Sequence, residues 1–337
     1  MITRRHFLAV QAAVPYLDRR GVPAEPAPLP PKGAEDLPYL PVGLFGPDDP
    51  GHAAGGTVYM GVALAVEHAN ARLGKGDKPY RLFCRWSDDP WRAGASAVAR
   101  LALEDRIVAL VGGIDSATTH LAEQVAAKML FPIVDPVSTD ETANAAFVPW
   151  IFSWAPGDSL LARALAEGLR RRPYTLLAAT DHGSRQLARV LSRMAQPAER
   201  HDFQPPNRPP EPSHSPVVVL APPATLCDVV SLIPESAEVY CGPSAWSRAC
   251  RGRLRRPVLA PALAVPDIGL LRQAEARFQC PGDVFFQLAY ESTALLLECI
   301  QAAGPNRPAV RERLASRFAP NGRRPISSVL LQEVSPS

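Results

Sequence analysis

Short apolar runs alternate with longer amphipathic stretches from residue 40 to beyond residue 240, and few architectures accommodate that rhythm. The apolar runs at residues 40–45, 80–86, 107–111, 131–135, 175–180, 217–221 and 238–241 read as strands. Residues 107–111 are as apolar as a strand buried on both faces. Between them, residues 58–73, 93–103, 116–128, 160–171 and 185–195 carry helical periodicity. Strands that alternate with helices predict parallel sheets covered on both sides. The rhythm breaks at residues 150–155, an apolar crossing segment, and then resumes, so two α/β units lie in series. A chain of 337 residues with 47% hydrophobic content has material for two cores. Residues 196–216, which include Pro205-Pro206 and Pro209-Pro210, read as an irregular surface loop, and the second unit is expected to be trimmed.

Several function classes lack their required residues. The formal charge is only +3, and the arginines are scattered among acids rather than set in a stripe with aromatics, so no nucleic-acid partner is expected. No GxGxxG follows a strand, and there is no GxxxxGK[ST], GxSxG or HExxH, so no catalytic residue and no cofactor is expected. Asp88-Asp89 reads as a solvated turn. The six cysteines show no CxxC spacing and no paired histidines accompany them, so no metal is expected. They read mostly as buried free thiols, with Cys241 and Cys250 the closest pair in the chain. At the N-terminus, Thr3-Arg4-Arg5-His6-Phe7-Leu8 has the form of a twin-arginine export signal, followed by an apolar stretch interrupted by Gln11 and Pro15. Residues 21–36, rich in proline, form an extended linker.

In open parallel sheets, ligands bind beyond the carboxyl ends of the strands, where loops lead into helix N-termini. That rule selects Gly112-Gly113-Ile114-Asp115-Ser116, Pro136-Val137-Ser138-Thr139 and Asp181-His182-Gly183-Ser184. Ser116 and Thr139 can donate hydroxyl hydrogen bonds to an anion there, or simply cap helices. His182 can meet a ligand, titrate near neutral pH, or face solvent.

At these residues the chain resembles the Leu/Ile/Val-binding branch of the type I periplasmic binding proteins. The resemblance runs in unbroken order over residues 40–320. It is carried by Pro41-Val42-Gly43-Leu44-Phe45-Gly46-Pro47, GVALAVEHAN from Gly61 to Asn70, and Val111-Gly112-Gly113-Ile114-Asp115-Ser116. The run from Phe131 to Thr139, Trp150-Ile151-Phe152, Ala155-Pro156-Gly157-Asp158 and Leu288-Ala289-Tyr290-Glu291-Ser292 complete it.

The resemblance implies an α/β fold of two Rossmann-like lobes with parallel sheets, joined by a three-crossing hinge. Lobe I would comprise residues 37–154 plus 265–318 and lobe II residues 155–264 plus 319–337, with hinges near Ala155, residues 261–266 and Ala319. It also implies a ligand-binding set of Asp115, Ser116, Val137, Ser138, Thr139 and His182. In that set Ser116 and Thr139 meet a carboxylate, helped by nearby backbone N–H groups. His182 departs from the family's tyrosine and Asp115 from its small residue, while Trp154 takes a hinge position, packed or lining the cleft. The implied role is the solute-binding component of an ABC-type importer, periplasmic, with an amino acid, small carboxylate or amide as ligand and ABC permease subunits as partners. A ligand sensor without a transport role is the alternative on the same fold.

Overall fold

The computed structural model describes residues 33–145 and 148–336, so the twin-arginine segment and most of the proline-rich linker lie outside the described residues. The first sheet contains β1 (Leu40–Phe45), β2 (Tyr80–Arg85), β3 (Ala109–Gly112), β4 (Ile133–Asp135) and β5 (Ile151–Ser153). Its order is β2-β1-β3-β4-β5 and every pairing is parallel. Helices α1 (Gly56–Ala71), α2 (Pro90–Leu103) and α3 (Ser116–Met129) connect the strands.

The second sheet contains β6 (Thr175–Ala179), β7 (Glu199–Phe203), β8 (Val217–Leu220), β9 (Val239–Cys241), β10 (Val258–Pro261) and β11 (Leu331–Val334). It is ordered β11-β10-β9-β8-β6-β7, with only β11 antiparallel. Its helices are α4 (Asp158–Leu169), α5 (His182–Met194), α6 (Pro223–Val230) and α7 (Arg248–Arg251), with a short 3₁₀ turn at Pro243–Trp246. The fold is therefore two α/β lobes with parallel sheets. Leaving β11 aside, both lobes repeat one strand order, in which the strand first in sequence lies between the second and the third.

Each sheet separates two apolar layers. In the first lobe, Val42, Leu44, Val111 and Val134 pack with Val58 and Val62 of α1, while Phe45, Leu110, Ile133 and Ile151 pack with Leu101 and Leu121 on the other face. In the second, Leu177 and Val219 face Leu226 and Val230, while Leu176 and Val218 face Leu161, Leu165 and Leu187. Double-sided burial is why these strands lack a polar alternation. Helix starts follow the chemistry of capping: Asp89, Asp115, Asp181 and Asp283 each accept a backbone N–H in the first turn of the helix that follows. Asp89 thus belongs to a helix cap, in keeping with a solvated turn.

After β10 the chain returns to the first lobe through α8 (Ile268–Phe278), α9 (Val284–Ala303) and α10 (Arg307–Ala315). Helix α9 lies against α1 so closely that a Cβ on Gly61 would stand 2.3 Å from the Phe286 carbonyl oxygen. The chain then runs beside β5, where Arg324 N–H donates to the Ser153 carbonyl at 2.9 Å, before ending in β11. The backbone accordingly passes between the sheets three times.

Two sequence expectations need correction. Residues 196–216 are not wholly irregular, because β7 occupies Glu199–Phe203. It escapes a hydrophobic search because it is an edge strand, with polar Glu199, Arg200, His201 and Asp202 along it. Nor is the second lobe trimmed, since β7 and β11 give it six strands against five. Residues 150–155 form β5 of the first sheet as well as the start of the crossing.

Candidate functional site

The loops at the carboxyl ends of the strands in both lobes line one cavity of about 320 Å³. From the first lobe come Thr57 and Val58 at the start of α1, Ile114, Asp115 and Ser116 at the start of α3, and Val137 and Thr139 after β4. The second contributes Asp181, His182, Gly183 and Ser184 after β6, Pro222 and Pro223 after β8, and Ser244, Ser247 and Arg248 after β9. In each lobe the strand order reverses at its first strand, which leaves a crevice there for a ligand.

The start of α3 is built for close approach. Asp115 accepts from Thr118 N–H at 2.8 Å and from the Thr118 hydroxyl at 2.7 Å, while Thr118 Oγ1 in turn accepts from Asp115 N–H at 3.2 Å. A Cβ on Gly113 would stand 2.2 Å from Thr118 Oγ1, so only glycine lets the loop fold over this cap. Asp115 does the capping, and Ser116 is the first residue of the helix itself. Ser116 Oγ accepts a hydrogen bond from the Ser138 hydroxyl at 3.0 Å. Ser138 is buried and stands behind Ser116, outside the cavity wall. The amides of Val137 and Ser138 donate to Asp135 Oδ1 at 3.2 and 3.0 Å, which leaves Val137 to offer its side chain to the cavity.

Thr139 lines the cavity next to two acids of opposite character. Burial pushes the Asp158 carboxyl up to about 7, against a smaller lowering by the nearby Thr139 hydroxyl. Asp140 goes the other way: burial alone would raise its pKa, but hydrogen bonds from His120, the Thr142 amide and His182 hold it well below the usual carboxylate range. Its Oδ2 lies 2.8 Å from His120 Nε2 and 2.7 Å from His182 Nε2. His120, hydrogen-bonded to Asp140 and facing Glu123, is raised to about 9. His182 thus lines the cavity with its Nε2 engaged by Asp140 across the lobes.

Arg248 was not singled out from the sequence. It adds a positive charge to the wall: Nη1 lies 2.7 Å from Cys280 Sγ and 3.4 Å from Met60 Sδ, and Nη2 donates to the Pro50 carbonyl. Among the described residues it takes part in no ion pair with a carboxylate. Trp154 packs in the hinge rather than on the cavity, donating Nε1–H to Glu291 at 3.2 Å beneath the Arg324 guanidinium, 4.4 Å from the ring. Cys227, Cys241, Cys250 and Cys299 are buried thiols, and Cys84 and Cys280 are partly exposed.

With this geometry in view, comparison with known proteins is direct. Residues 40–232, more than half of the chain, match the family described as periplasmic binding protein. The chain belongs to that family. Among solved structures, this periplasmic binding protein is similar to the branched-chain amino acid transporter substrate binding protein LivJ from Streptococcus pneumoniae in complex with isoleucine. The two share 14% identity at a TM-score of 0.72, covering 88% of this chain and 99% of that one. The leucine binding protein LivK from Thermotoga maritima matches with 15% identity, 88% and 99% coverage and a TM-score of 0.71. An ABC transporter solute binding protein from R. palustris in complex with benzoate matches with 14% identity, 88% and 93% coverage and a TM-score of 0.70. Comparison with curated proteins yields no match. At these identities the likeness to solved structures speaks for the fold of this periplasmic binding protein.

Proposed function

We propose that the chain is the solute-binding component of an ABC-type importer, taking a small amino-acid-like or carboxylate ligand into the interlobe cavity and closing on it. The observation that carries this reading is the convergence of helix N-termini from both lobes on one cavity, with Ser116, Thr139 and Arg248 on its wall. Helix N-termini attract anions, and charge-assisted hydrogen bonds from hydroxyl and guanidinium groups strengthen that attraction. Isoleucine, leucine and benzoate, named with three of the similar structures, share a carboxylate, which supports the same choice. Asp115 and Asp181 border the cavity too, and with only Oδ1 of each engaged in capping they suit the ammonium group of an amino acid. A volume of about 320 Å³ suits a ligand of that size.

In this reading the ligand anchors on the first lobe, the second closes over it, and the closed form engages permease subunits. Delivery outside the cytoplasm through the twin-arginine segment belongs to the same proposal. Calorimetric titration of amino acids, small carboxylates and their methyl esters tests it. Acids should bind and esters should not, and Ser116→Ala and Thr139→Ala should each weaken binding by roughly 1.5–3 kcal/mol. Equal binding of acid and ester, or wild-type affinity in both variants, would refute the carboxylate anchor.

A further inference from the structure

Spacing along the chain argues against a metal, yet folding brings His120, Asp140 and His182 together at the edge of the cavity. Their donor atoms all lie within 4.8 Å of one another. Both imidazoles direct Nε2 at a single oxygen, Asp140 Oδ2, at 2.8 and 2.7 Å, and the rings meet edge to face with centroids 5.1 Å apart. The geometry points to a binding site for a divalent transition cation of the zinc class, clasping lobe I to lobe II through these three side chains. The site needs no solute in the cavity, so it stands apart from the transport reading.

Two imidazole nitrogens and one carboxylate oxygen are the donor set that a borderline cation prefers, and three protein ligands leave a fourth position for water or another ligand. Calcium and magnesium call for more oxygen ligands than these three side chains provide. Zinc bonds of about 2.0–2.2 Å in a tetrahedron would hold the donors roughly 3.3 Å apart, about half an ångström more than the two N···O separations and inside the 4.8 Å that spans all three donors. The surroundings already hold the ligands in place. His120 Nδ1 lies 3.6 Å from Glu123 Oε2, the type of outer contact that orients a metal-bound imidazole. The Thr142 amide bonds Asp140 Oδ1 at 2.8 Å, and its hydroxyl donates to both Oδ1 at 2.8 Å and Oδ2 at 2.9 Å, which fixes the carboxylate while both histidines meet Oδ2. Asp140 is fully buried, and the partly exposed His182 side chain offers a route for the ion.

The ligands are divided between the lobes. His120 stands on α3 and Asp140 follows β4, whereas His182 opens α5. A cation there binds well only when the lobes are together, so cation binding and lobe closure must favour each other.

The test is calorimetric titration of zinc chloride into chelator-stripped full-length protein. One zinc per chain at micromolar or tighter affinity is expected, weakened at least tenfold by His120→Gln and by His182→Gln. His201→Gln, which alters the separate pair of histidines on Glu199, should retain it. As a check independent of any variant, zinc should protect His120 and His182, but not the exposed His214, from diethyl pyrocarbonate in the wild-type chain. Absence of stoichiometric zinc, loss in only one of the two site variants, or unprotected His120 and His182 would each overturn the assignment.

Discussion

Asp158 is 1% exposed, and neither carboxylate oxygen has a well-directed hydrogen bond. Its folded pKa of about 7 lies above the roughly 3.9 of an unfolded aspartate, so between those values the folded chain keeps a proton that the unfolded chain has released. The stability due to the neutral form is therefore complete below about pH 4 and is lost as pH rises through about 7. Asp158→Asn should be more stable than the parent at pH 8 by about 2–4 kcal/mol, with the gap closing towards pH 4. Urea denaturation across that range measures it, and a gap independent of pH would refute the linkage. Residues such as Ser116, Thr139 and His182 were legible in the sequence because they follow strands, where the backbone alone determines position. His120, Asp140 and Arg248 were not, since they become neighbours only through packing: His120 sits one turn beyond Ser116 on α3, and its partner His182 comes from the other lobe.

Among the elements, the contact between α1 and α9 is the tightest constraint on the first lobe. A methyl group at Gly61 would meet the Phe286 carbonyl at 2.3 Å and both the Ala289 Cβ and the Tyr290 nitrogen at 2.8 Å, with backbone on two of the three sides. Gly61→Ala gains helix propensity of about 1 kcal/mol but must push the helices apart, so a net loss of about 1–3 kcal/mol is expected in chemical denaturation. A variant as stable as the parent would mean that α9 can shift freely on α1. Although β10 went unread despite its burial, strands β1 to β4, β6, β8 and β9 were legible as apolar runs and helices α1 to α5 as periodic ones. The two outer strands β7 and β11 were not, because each has a neighbour on one side only and carries polar residues such as Arg200 and Glu333.

At the level of the whole molecule, three passes of backbone join lobes that touch through His182 with Asp140 and through Arg248 with Pro50 and Met60. Such a connection permits bending about a common axis and resists sliding. Trp154 lies in this connection beside Glu291 and Arg324, so its emission should change when the lobes open or close. Small-angle scattering should show a larger radius of gyration in Asp140→Ala than in the parent, together with an altered Trp154 signal that Trp154→Phe abolishes. Identical scattering would mean that Asp140 does not hold the lobes together. The reversed strand β11 has a different consequence. Parallel sheets end in rows of unpaired N–H and C=O groups that can recruit another chain. Strand β11 covers that row on β10 and becomes the margin itself, with exposed Gln332 and Glu333 along it, and at the opposite margin β7 presents Arg200 and Asp202 shortly before Pro205-Pro206. The second lobe is thereby guarded against edge-to-edge aggregation at both ends, a protection that a core-packing account of its stability would never register.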